Sequence, residues 1–352
     1  MFRNYFKIAW RTIIRSRQAT LINVCGLALG LAVFLLISEY VAFELNANSF
    51  HKAYNQLYRV NTLDKKGTSE NILPPGYAPL LKANITGIEE YVRVVDGIGA
   101  GVITYAGSNG TGQKILRESK LVYVDASFLQ VFTFPLVAGT PFLPGNTLAL
   151  SEHMSQKLFS TQNPIGKTVV ISNQFGNTTY TVNAVYKDMP ENSDIRSDVL
   201  LSLATLNSAA NRNDNGWADP SGLESGFSSI FLLLKKGTDQ QKVAQEITKY
   251  VQRTNKEITG ESIYLQPLSE LHLAPSFSYP YQTFGSTVLV LSFSVVALLI
   301  LVIAWVNYIN LSTAQALNRR REVGVRKVLG ANRLQLVVQY LAETFIITAI
   351  SV

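Results

Sequence analysis

The sequence predicts a membrane protein in which α-helical transmembrane spans flank a large α+β domain. Three observations carry that prediction. Charged residues make up only 16% of the chain while hydrophobic ones make up 47%, against roughly 25% charged in ordinary soluble domains. Two apolar runs of membrane length lie towards opposite ends. Between them, about 240 residues mix strand-like and helix-like patterns, enough for one large or two small subdomains.

The stronger span is "TVLVLSFSVVALLILVIAWV", Thr287 to Val306, which carries no charge. At about 1.5 Å per residue, twenty helical residues cross roughly 30 Å of hydrocarbon. The other, "LINVCGLALGLAVFLLI" from Leu21 to Ile37, continues past Glu39 to Phe43. Gly26 and Gly30 make a small-xxx-small pair that lets a second helix approach closely; glycines facing lipid are the plain alternative. A basic leader precedes this run, as in a signal peptide, but the run outlasts an ordinary h-region and no A-x-A site follows. A third helix, "LQLVVQYLAETFIITAISV", begins at Leu334 and is still apolar at Val352, which reads as a truncated span of a longer protein. It holds Glu343, and a carboxylate at membrane depth faces a helix bundle or water.

The net charge of +7 has a location. Arg3, Lys7, Arg11, Arg15 and Arg17 precede the first span, and Arg319, Arg320, Arg321, Arg326, Lys327 and Arg333 follow the second. The intervening region holds 20 of the 31 basic and 21 of the 24 acidic residues, so it is near neutral. The positive-inside rule puts both basic ends in the cytoplasm and the middle outside. A charge so placed reports topology and needs no nucleic acid to explain it.

Within the middle region, alternating or β-branched runs mark strands at "LYRVNT", "YVRVVDG", "VITYAG", "LVYVD", "KTVVIS", "YTVNAVYKD" and "IFLLLKKG". Helices are marked by "SEHMSQKLF", capped by Ser151, and by the stretch from Asp239 that places Val243, Ile247 and Val251 on one face. Turns fall at Pro74-Pro75-Gly76, Pro144-Gly145, Asn163 to Gly166 and Pro190 to Asn192. "NSAANRNDNGWADPSGLESG" reads as a long disordered loop.

Chemistry is sparse. The single cysteine, Cys25, lies in an apolar run, so neither a disulfide framework nor a cysteine zinc site is available. His51, His153 and His272 are widely spaced, and no GxxxxGK[ST] phosphate loop occurs. Asp194 and Asp198 make a carboxylate pair with nothing beside it to complete a catalytic set, so they read as solvated loop acids. His272 reads as a structural residue near the return to the membrane. The middle domain is therefore expected to bind or to move, with no catalytic, cofactor-binding or metal residues of its own.

The most distinctive stretch is "NRRREVGVRKVLGANR", Asn318 to Arg333. The helix of the second span is expected to run on through Asn307, Asn310, Ser312 and Thr313 to about Arg321. Val323, Val325, Val328 and Leu329 then alternate with Arg326 and Lys327, and Gly324 and Gly330 permit changes of direction. Such an element suits an anionic membrane surface or a groove on a partner protein. Arg319, Arg320 and Arg321 serve as a membrane-surface anchor, at about 1 kcal/mol per basic residue.

"EVGVRKVLGA", with "NLSTA" before it and "QLVVQYLAE" after it, closely resembles the signature of MacB/FtsX-type ABC transporter permeases. "NYFKIAWRTIIRSRQATLINVCGLALGLA" resembles that family's N-terminal cytoplasmic helix and first span. "YVDASFLQVFTFPLVAGTP", "NPIGKTVVI" and "VNAVYKDMPENSDIRSDVLLS" resemble segments of its periplasmic core domain. The resemblance implies a multi-pass protein of the bacterial inner membrane. Its organisation would be an amphipathic cytoplasmic helix at 1–19, a span at 20–43 and a MacB-like periplasmic core at 44–286. A second span at 287–309, a cytoplasmic extension and coupling segment at 310–333 and the start of a third span at 334–352 would complete it.

The resemblance further implies a separate cytoplasmic ATPase as partner, ATP and Mg2+ held there and not in this chain, and docking through Glu322, Val323, Gly324, Val325, Arg326, Lys327, Val328, Leu329, Gly330 and Ala331. Membrane lipid, a second permease copy or half, and a periplasmic adaptor are the other partners it implies. Family members expel macrolides or peptides, extract lipoproteins or control cell-wall hydrolases, and no residue here selects among these. A two-span sensor with an external ligand-binding domain shares the topology, but an apolar segment begins soon after the second span where a signalling helix would be expected. A membrane-anchored enzyme lacks a catalytic constellation.

Overall fold

The computed structural model describes residues 17–63, 69–70, 74–107, 112–254, 261–273, 285–318, 323–325, 328 and 332–351. The chain divides into two compact units, one formed by the helices up to Leu45 and from Thr287 onward, the other by Asn46–Ser286.

In the first unit, α1 runs Arg17–Leu45, and segments Thr20–Leu45 and Thr287–Ala314 are long and apolar enough to cross a membrane. The second of these belongs to a continuous helix, Thr287–Asn318, so the polar residues Asn310, Ser312 and Thr313 extend it without a break. Thr313 returns its hydroxyl to Ile309 O at 2.7 Å, which satisfies that group inside the helix. A third helix covers Arg333–Ser351. The expected N-terminal cytoplasmic helix lies largely outside the described residues.

The second unit is a mixed sheet. Its strands are β1 (Leu57–Leu63), β2 (Ser69–Glu70), β3 (Ile88–Val95), β4 (Gly101–Tyr105), β5 (Lys114–Glu118), β6 (Leu121–Val124) and β7 (Leu136–Gly139), followed by β8 (Thr147–Ser151), β9 (Thr168–Asn173), β10 (Gly176–Tyr186), β11 (Val199–Ser202), β12 (Ser229–Leu234) and β13 (Ser262–Pro267). Among the described residues they hydrogen-bond in the order β13-β1-β12-β3-β6-β11-β8-β10-β9-β4-β5, with β2 on β1 and β7 on β10. Two pairs are parallel, β6 with β11 and β8 with β10, and they sit in the middle of the sheet. Parallel pairs need cover on both faces, and these central strands have it. Leu148 and Leu150 of β8 join one core cluster while Ala149 between them joins another.

Helices supply the cover. α2 (Tyr77–Asn84) and α3 (Gln240–Thr254) lay Tyr77, Ala78, Leu81, Val243, Ile247 and Val251 over Val60, Ile230, Leu232, Ile263 and Leu265. The 3.6-residue spacing of Val243, Ile247 and Val251 is what fits one helix face to the sheet. A further helix, Glu152–Phe159, begins where Ser151 Oγ accepts the Met154 N–H at 3.1 Å, the N-cap its sequence predicts.

The segment 207–226, expected to be a disordered loop, is ordered. Its polar side chains hydrogen-bond within the segment and to the residues beside it. Arg212 pairs with Asp219 at 3.4 Å, Asn211 Nδ2 donates to Thr205 O at 2.9 Å, and Asn215 Nδ2 donates to Arg212 O at 2.9 Å. Trp217 packs between Phe175 and Phe227, so one large aromatic pins a segment whose composition alone says loop.

Candidate functional site

The two membrane-length helices meet through small residues. A Cβ built on Gly30 would lie 2.6 Å from the Ala304 Cβ, and one on Gly26 would lie 3.1 Å from Asn307 Nδ2. Glycine at 30 therefore sets how closely these helices approach, since any side chain there overlaps the facing one. Tyr40 meets Phe293 edge-on at 5.5 Å further along the same pair. Asn23 is 2% exposed, and among the described residues its amide has no hydrogen-bond partner.

Within the expected coupling segment, Val323, Gly324 and Val325 are helical, as is Val328. Val325 and Val328 are 60% and 88% exposed, and among the described residues nothing stands within 4 Å of a Cβ built on Gly324. Two valines are thus exposed just after a helical glycine. Glu322, Arg326, Lys327, Leu329, Gly330 and Ala331 lie outside the described residues, as do Arg319, Arg320 and Arg321.

In the sheet domain the expectation for Asp194 is overturned: it is 1% exposed. Its Oδ1 lies 2.7 Å from His272 Nδ1 and its Oδ2 accepts from Asn48 Nδ2 at 2.7 Å, while its own N–H donates to Asn48 Oδ1 at 2.9 Å. A buried carboxylate needs such partners, because desolvating it alone costs several kcal/mol. Asp198 is also engaged, accepting from Ser151 Oγ at 2.7 Å. Beside this cluster, Arg59 Nη2 and Asn61 Nδ2 donate to Gln266 Oε1 at 2.7 and 2.9 Å. Burial lowers the Arg59 pKa to about 10, an effect the Asp194 charge partly opposes. Burial, and then the same charge, raises the Tyr54 phenol.

His51 is buried among Phe50, Phe132 and Phe134 and accepts the Thr133 N–H on Nδ1 at 3.1 Å. Burial drops its pKa to about 4. Arg93 grips Asp125 at 2.7 Å and also donates to Pro220 O at 2.7 Å, tying the 207–226 segment to β3. Burial works to lower the Arg93 pKa, but the side-chain hydrogen bonds to Asp125 and its charge outweigh it and raise the value. Among the described residues, no group of three or more His, Cys, Asp and Glu side chains is arranged to hold a metal ion.

Two helices long and apolar enough to cross a membrane, together with a separate mixed-sheet domain, define the class of membrane protein. Residues 20–250 match the family described as the MacB-like periplasmic core domain, and residues 294–352 match the FtsX-like permease C-terminal family. The chain belongs to the MacB/FtsX-type ABC transporter permeases. It is 22% identical over 359 residues to the probable export ATP-binding/permease protein MacB of Pseudomonas entomophila, covering 99% of this chain and 50% of that protein. Over 229 residues it is 22% identical to the uncharacterized ABC transporter permease YknZ of Bacillus subtilis, covering 65% and 52%. The chain spans about half the length of the curated relatives it matches. A solved domain of a permease protein from Porphyromonas gingivalis aligns with a TM-score of 0.49 at 18% identity, covering 69% of this chain and 99% of that one.

Proposed function

We propose that this chain is the permease subunit of an ABC transporter, carrying ATP-driven motion of a separate cytoplasmic ATPase across the inner membrane to a periplasmic sheet domain. The observation that carries this reading is the collinear match of both family segments, periplasmic core first over residues 20–250 and permease second over residues 294–352. The N-terminus and residues 310–333 then lie in the cytoplasm, as the clustered basic residues favour. ATP and Mg2+ belong to the partner, since this sequence contains no phosphate loop. Export is the reading favoured by the relative named as an export protein, and the moving sheet domain would act on cargo outside the membrane.

Docking falls on Glu322 to Ala331. Val325 and Val328 offer apolar contact to the ATPase, and the flanking arginines and lysine steer its approach, because rim charges act mainly on association. The paired change Val325→Asp with Leu329→Asp is expected to abolish permease-stimulated ATP hydrolysis while membrane insertion stays normal. Stimulated hydrolysis at the wild-type rate in that variant would show that the ATPase docks elsewhere.

A further inference from the structure

Resting on that transmission reading, we infer that Asn48, Asp194 and His272 form a latch of positioning residues. It locks both chain ends of the sheet domain to a single loop, so that motion of the membrane helices reaches the sheet undiminished. The connectivity makes the case. α1 ends at Leu45, and Asn48 follows three residues later. At the other end, Gly285, two residues before the second long helix starts at Thr287, donates its N–H to His272 O at 3.0 Å. Asn48, three residues past one helix, and His272, whose carbonyl holds Gly285 two residues before the other, therefore both reach Asp194, which takes Asn48 on one carboxylate oxygen and His272 on the other.

The grip extends beyond the carboxylate. Asn48 N–H donates to Asn192 O at 2.9 Å, and Asn192 Nδ2 donates back to Asn46 O at 3.3 Å. Asn48 holds φ at +61°, the left-handed region, which costs a non-glycine residue on the order of 1 kcal/mol and which Asn bears best. Both of its side-chain amide atoms are committed to Asp194. Asn48, Asp194 and His272 are 1%, 1% and 6% exposed, so water does not compete for these bonds.

From the latch the path into the sheet is short. Four residues after Asp194, Asp198 accepts the Ser151 hydroxyl at 2.7 Å while its carbonyl accepts the Ser151 N–H at 2.9 Å. Ser151 closes β8, and β11 begins at Val199. The loop that receives both connectors thus runs directly into two of the sheet's central strands.

The test uses the full-length chain in lipid nanodiscs in a Cys25→Ser background, with spin labels placed at exposed positions. One pair, Phe43 with Arg117, joins the end of α1 to the sheet domain; a second, Arg117 with Lys235, lies within that domain; a third, Leu36 with Leu298, joins the two membrane helices. With the latch intact the first pair gives one narrow distance distribution. In Asp194→Asn and in Asn48→Gly that distribution is expected to spread while the second pair stays narrow. Asn48→Gly keeps the left-handed turn and removes only the side-chain clamp, so it decides alone should Asp194→Asn disturb the domain's own pair. A first-pair distribution that remains narrow in Asn48→Gly overturns the latch. Adding the ATPase and ATP tests the parent reading separately: a wild-type helix pair that does not shift defeats transmission, and leaves the latch to be judged on the nucleotide-free distributions.

Discussion

Acid should weaken the sheet domain through one residue, His51. Its imidazole is 3% exposed in a ring of phenylalanines, and burial lowers its pKa from 6.5 to about 4. In the unfolded chain it protonates near 6.5, so below that pH the unfolded state binds a proton that the folded state refuses. The stabilising contribution is therefore fully present above about pH 6.5 and is lost as pH falls towards 4. The whole shift corresponds to about 3 kcal/mol, of which about 2 kcal/mol disappears between pH 7 and pH 5. The assay is urea unfolding of the intact protein at both pH values, followed by the fluorescence of Trp217, which packs on Phe175 and Phe227 inside the sheet domain. His51→Asn keeps an acceptor near the Thr133 N–H and cannot titrate, so it should start less stable and lose markedly less between the two pH values. Equal acid sensitivity in the variant and the wild type would refute the assignment and move the titration to another group.

Two further predictions concern packing. Gly30→Ala drives a methyl group to 2.6 Å from Ala304 Cβ, whereas the Gly26→Ala methyl meets only the end of the Asn307 side chain at 3.1 Å. The first should cost about 1–3 kcal/mol of helix association and the second less, read by denaturant titration of the membrane-embedded protein; equal costs would exclude Gly30 as the close contact. Arg93→Met leaves Asp125, 12% exposed, without its cation and releases Pro220 O. It should lower stability by about 3–5 kcal/mol and speed proteolytic cleavage within 207–226, and an unchanged cleavage rate would mean that Trp217 alone holds the segment.

Legibility in the sequence followed burial. β9 and the first eight residues of β10 alternate, so the period-2 pattern found them. "TLALS" and "VLLS" escaped it because β8 and β11 are buried on both faces, with no polar face to alternate. Unlike the equally buried β6 and β12, with Tyr123 and Phe231, they carry no aromatic residue to mark them. β5 was missed for the opposite reason: at the sheet edge its two faces are half-buried and exposed, leaving Lys114, Arg117 and Glu118 to dominate its composition. The segment 207–226 misled because Asn, Asp and Ser are read as solvent-seeking, yet their short side chains satisfy turns equally well. Asn48, Asp194 and His272 carry no mutual signal at all. Each looks like an ordinary loop residue, and only the folded chain brings them within hydrogen-bond distance.

That distribution of rigid and pliable points bears on how a permease of this family would carry motion. On the transmission reading, work enters at residues 322–331, where Val325 and Val328 are exposed and, among the described residues, nothing stands within 4 Å of a Cβ built on Gly324. Such an element can reorient to follow a partner. The same freedom at the far ends of the helices would waste the movement, because each unconstrained residue absorbs displacement into its own backbone dihedrals. The chain avoids it there. Asn46 and Asn48, just after α1, are bonded into the 190–198 loop, and the residue two before the second long helix is bonded to His272. A flexible docking element and stiff connectors are complementary requirements of one lever. Breaking the helix at Gly324 with Pro and loosening Asn48 with Gly should therefore fail differently, the first by uncoupling the ATPase from the helices and the second by letting them move without the sheet.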